Sequence, residues 1–147
     1  MMAVRRLYMR RTALPAALAL ILAAALCFTG CGKYLSSYSA FGLVYSNTSD
    51  SAFMRFSSFE GTKAFNMECT GESGGRVTYS AKLGSGSAVV FIDNDGTKTE
   101  LFSVSAGEEA VSGTFELNRG PVYIIVETDG KCGDGDLNFG IVYDSEE

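Results

Sequence analysis

Three observations predict an all-β fold, an antiparallel β-sandwich of about eight or nine strands behind an N-terminal signal helix. Beyond residue 40, apolar side chains recur at every second position. Turn-forming residues interrupt those runs at short, regular spacing. No stretch beyond the leader carries an apolar stripe with the 3.6-residue period of a helix.

The leader comes first. Arg5, Arg6, Arg10 and Arg11 precede an uncharged stretch from Thr12 to Phe28, the order of a basic n-region and an apolar h-region in an export signal. A permanent transmembrane helix is the alternative, but the stretch lies at the short limit of what spans a bilayer core of about 30 Å. The two Arg-Arg pairs also raise twin-arginine export, although the residues after them do not continue that motif.

The segment Phe28-Thr29-Gly30-Cys31-Gly32 resembles the bacterial lipobox, in which small residues precede a cysteine that is acylated and becomes the mature N-terminus. Thr29 and Gly30 match, and Phe28 stands where the family has Leu. The resemblance implies a signal peptide over residues 1–30, a palmitate-type lipid on Cys31, and a membrane partner reached through that lipid on the extracytoplasmic side. Cys27 follows bulky Leu26 and does not fit.

Residues 31–40 are small and polar enough to tether the anchored cysteine to a domain over residues 41–147. Within that domain Phe65, Met67 and Cys69 alternate with polar neighbours, as do Val77, Tyr79, Ala81 and Leu83, and Leu137, Phe139, Ile141 and Tyr143. Each such run buries one face. Ser87 to Ile92 and Pro121 to Val126 are denser in β-branched residues and suit strands covered on both sides. Turns are expected at Gly71–Gly75, Gly84–Gly86, Asp93–Gly96, Ser105–Glu109, Asn118–Gly120 and Asp129–Asp136. Phe53, Phe56, Phe65, Phe91, Phe102, Phe115 and Phe139 are the candidate aromatic core.

The runs Phe59 to Phe65, Gly75 to Tyr79, Val89 to Gly96, Gly113 to Leu117 and Gly120 to Val126, with Leu137 and Phe139 in a last strand, are similar in strand and turn spacing to secreted jelly-roll modules of the bacterial pre-peptidase C-terminal type. That resemblance implies a non-catalytic accessory domain.

Charge and composition narrow the function. The 17 acidic residues all lie beyond residue 49, and the mature part carries 8 basic residues against them, a net charge of −9. Such a chain repels phosphate backbones, so nucleic acid is not an expected partner. The absence of histidine removes Ser-His-Asp and Cys-His nucleophiles and the usual zinc sites. No catalytic residue and no cofactor is expected. The leading reading is a lipid-anchored, non-catalytic interaction module of the cell envelope with an unidentified protein or carbohydrate partner. The alternative is a small-ligand or carbohydrate-binding surface protein, with calcium as an optional stabiliser and Tyr38 or Tyr45 as a candidate sugar-facing ring.

Two acidic loops bear on calcium. Asp93-Asn94-Asp95-Gly96 reads as a hairpin turn lacking an EF-hand glutamate. The loop holding Asp129, Asp134 and Asp136 is the better candidate metal site, though its glycines alone explain a turn. Cys69 and Cys132 are an even pair of thiols in an exported chain, yet counting strand reversals places them at opposite ends, beyond disulfide reach. The domain is expected to fold without either device.

Overall fold

The computed structural model describes residues 33–145; the expected signal peptide over residues 1–30, Cys31 and the last two residues lie outside the described residues. Eight strands follow one another: β1 (Ser37–Phe41), β2 (Val44–Asn47), β3 (Ser51–Cys69), β4 (Gly75–Lys82), β5 (Ser85–Asp93), β6 (Thr99–Ser105), β7 (Val111–Leu117) and β8 (Gly120–Val142). All pairings are antiparallel.

Two of these strands are far longer than a typical strand of five or six residues, and their length creates both layers. β3 and β8 pair from Ser51↔Gly140 to Cys69↔Gly120, with a register shift between Phe59 and Thr62. On the far edge of β8, β4 covers residues 136–142 and β5 covers residues 123–133. On the far edge of β3, β2 covers residues 52–55 and β1 covers residues 58–62. The first layer therefore runs β2-β3-β8-β4-β7 and the second β1-β3-β8-β5-β6, with β3 and β8 bending from one into the other.

The side chains confirm that the layers face each other. Phe102 of β6 stacks on Tyr79 of β4 with ring centroids 4.6 Å apart. Phe139 of β8 lies 6.3 Å from Phe102 and 6.4 Å from Phe65 of β3. Met54, Phe59, Val77, Val90, Ile124 and Leu137 are fully buried between them. The alternation that predicts half-buried strands is thus the alternation of a sandwich interior.

Several expectations change. Asp129 to Asp136 is not a loop but the middle of β8, where the strand bends. Asp134 adopts φ 49°, and the inward alternation slips by one residue between Cys132 and Gly135, the signature of a bulge that turns a strand through a corner. The register shifts in β3 and in β5, between Ser85 and Ser87, fall at the same level. Ordered structure begins before residue 41: β1 starts at Ser37 and the compact unit at Tyr34. Phe53 and Phe91 belong to the outer faces, since Ala52, Met54 and Phe56, and likewise Val90 and Ile92, take the inner positions. Phe59, absent from the expected aromatic core, is completely buried.

Candidate functional site

β1 and β2 close one side of the sandwich, and the site lies where they do so. Tyr45 of β2 stands opposite Met54, which places it on the inner face of the first layer at its rim. Lys63 lies two residues before buried Phe65 on β3, so strand alternation turns it to the inner face of the second layer. Tyr38 of β1, paired with Gly61, stacks on Phe59 at 5.1 Å. At Gly61, φ is 126° and a β-carbon would overlap the Ser37 carbonyl oxygen and Tyr38. Glycine there lets β1 approach and brings the tyrosine to the rim.

Three rings then surround one ammonium. Lys63 Nζ is 4.1 Å from the centroid of Tyr45, 5.1 Å from Phe65 and 5.9 Å from Tyr38. The residue is only 9% exposed, and burial pulls its pKa below the ordinary lysine value. Among the described residues no carboxylate pairs with it and no acceptor hydrogen-bonds it. Ring faces attract a cation through their quadrupole but do not replace oxygen acceptors for three N–H groups. Tyr45 and Tyr38 remain 49% and 39% exposed, and no side-chain nitrogen of the described residues is both buried and without a partner, so solvent reaches the two rings and the ammonium between them. Leu35, Phe41 and Val44 are also exposed.

Sequence reasoning named Tyr38 and Tyr45 and missed Lys63. The signal was present: Lys63 is in phase with Phe65, Met67 and Cys69, an inward position occupied by a charge.

The other candidates do not converge. Asp136 takes Arg55 at 3.4 Å and the Asn138 amide at 2.8 Å. Asp134 stands beside Gly84, and Asp129 lies opposite Ser87. No group of three histidine, cysteine or acidic side chains gathers among the described residues. Asp93 is buried; it accepts the Gly96 N–H at 2.8 Å and the Tyr34 hydroxyl at 2.6 Å, so its carboxylate closes the turn and fastens the start of the domain.

Cys69 and Cys132 are free and buried. Cys69 pairs with Gly120, and Cys132 with Phe59, a separation of roughly 30 Å along β3. The Cys132 thiol donates to the Ser87 carbonyl at 3.1 Å, and burial pushes its pKa up.

No protein family and no curated protein matches the sequence. Among solved structures the chain is similar to a family 61 carbohydrate-binding module in complex with β-1,4-galactotriose, at 14% identity and a TM-score of 0.45 over 74% of this chain and 88% of that one. It is also similar to a mutant family 29 module complexed with mannohexaose, at 15% identity and a TM-score of 0.38 over 75% of this chain and 94% of that one. Similarity at this level carries nothing about a ligand or its site.

Proposed function

We propose that this chain is a non-catalytic, carbohydrate-binding module of the bacterial cell envelope, held at the extracytoplasmic membrane face by a lipid on Cys31. The observation that carries the ligand reading is the pair of half-exposed rings, Tyr38 and Tyr45, on the two strands that follow one another along the same edge of β3. Sugar rings present axial C–H groups that pack on aromatic faces, and a phenol adds a hydroxyl for hydrogen bonding at the edge. The complete lack of histidine and the dispersal of the acidic residues favour binding over turnover. Ligands bound at modular sheet rims need no metal when ring faces and hydroxyls supply the affinity.

The lipid reading rests on the lipobox-like run at Phe28–Cys31. A strongly acidic domain gains nothing from anionic headgroups, so a covalent anchor is the natural means of retention. The test is to screen the acylated protein in detergent against an oligosaccharide array. Saturable binding that falls about tenfold in Tyr45→Ala, the loss of one good aromatic contact, supports the reading. An array on which nothing binds, or binding indifferent to both Tyr45→Ala and Tyr38→Ala, removes it.

A further inference from the structure

We propose that the ligand at this rim is an acidic saccharide, whose ring carboxylate is received by Lys63 while the sugar packs on Tyr45. The inference rests on the carbohydrate reading above and specifies its chemistry. Lys63 is nine-tenths buried as a residue, and its ammonium lies against the rings of Tyr45, Phe65 and Tyr38. No side-chain nitrogen of the described residues is both buried and without a partner, so the ammonium keeps a contact with solvent at the rim. Ring faces and a narrow solvent contact hydrate a cation less well than bulk water does. No carboxylate of the described residues pairs with it. A ligand oxygen bearing negative charge reaching the rim would.

The surroundings fit that occupant. Residues 33–49, which form β1, β2 and their approaches, contain no acidic side chain. The net charge of the domain therefore resides elsewhere, and a carboxylate reaching Lys63 meets no nearby repulsion from this segment. A flat, half-exposed ring directly over the ammonium suits a ligand that joins an apolar C–H face to a charged group on one ring, as a uronic acid does. Simple anions satisfy the charge alone, and neutral sugars satisfy the stacking alone. Partial desolvation of the ammonium by the rings strengthens the pairing relative to a fully hydrated surface lysine.

The probes are methyl glucuronide as its sodium salt, methyl glucoside and acetate, titrated into the full-length acylated protein while the Lys63 Nζ group is followed by nuclear magnetic resonance. Methyl glucuronide is expected to move the Lys63 signal and to bind about tenfold tighter than either other probe. The advantage should shrink at about 0.5 M salt and disappear in Lys63→Met, which keeps the apolar stem. Equal binding of glucuronide and glucoside overturns the acidic specificity and leaves the carbohydrate reading standing. Acetate binding as well as glucuronide overturns the saccharide part. A Lys63 signal in the unsubstituted protein that no probe moves overturns the site, whatever the variant does.

Discussion

Tyr34 shows how a single side chain can fix where a domain begins. Its hydroxyl donates to Asp93 at 2.6 Å and its ring meets Tyr123 edge-on at 5.5 Å. Burial first, and then the Asp93 carboxylate, push its pKa up to about 12. The ordinary phenol value is 10.0, so between those two values the unfolded chain has already released a proton that the folded chain retains. The Tyr34 contribution is therefore complete below pH 10, falls as pH rises, and is lost above about 12. Tyr34→Phe should cost about 1 kcal/mol at neutral pH, the worth of one hydrogen bond to a charged acceptor at a partly exposed position. Denaturant melts of the pair should converge as the pH approaches 12, and an ultraviolet titration should lose its last-ionising tyrosine. A constant difference between the two proteins across that range would refute the assignment.

At the scale of elements, the bend in β3 and β8 decides the architecture. Gly135 lies opposite Phe56, and a β-carbon on it would overlap the Phe56 ring. Gly140, seven residues from the bend's Gly133 on the same strand, would meet only Thr78 Oγ1 at 3.7 Å. Gly135→Ala is expected to destabilise the domain by about 2 kcal/mol, an overpacking cost, whereas Gly140→Ala should change stability by less than about 0.5 kcal/mol. Thermal melts of the two variants measure the contrast, and equal midpoints would show that the corner does not depend on the missing side chain. Asp129 to Asp136 resembles a turn in sequence because Gly and Asp tolerate unusual φ angles. The same tolerance serves a bulge inside a continuous strand. Local residue chemistry does not distinguish a chain that reverses from one that bends and continues; the neighbours along both edges of β8 do.

For the molecule as a whole, stability comes from one aromatic and aliphatic interior shared by both layers. With Cys69 and Cys132 separated along β3 and no acidic cluster gathered among the described residues, the thermal midpoint should be unchanged by reductant and by a calcium chelator. A drop of many degrees in either would show a bridge or an ion holding the layers together. Attachment to the membrane is tested at Cys31. Cys31→Ser should yield an unprocessed precursor without an acyl mass, and mass spectrometry of the unsubstituted protein should find its N-terminus at Cys31. A different first residue, or the absence of lipid there, would remove the anchor from the proposal.

The sequence by itself determined the all-β class, most of the turns and the inward face of nearly every strand, because period-two burial is a local consequence of the pleat. Phe65, Met67 and Cys69, and Leu137 and Phe139, lie where alternation puts them. Tyr38 and Tyr45 were legible as candidate rings, and their half-exposed positions come from the structure. Only the tertiary structure decided that two strands run through both layers, since a bend and a turn use the same residues and differ in long-range pairing. Only it decided that three rings gather around Lys63, because Tyr38 and Tyr45 reach it from β1 and β2 through their pairing with β3. The candidate site is assembled from β1, β2 and β3, and no single segment of the chain carries its geometry.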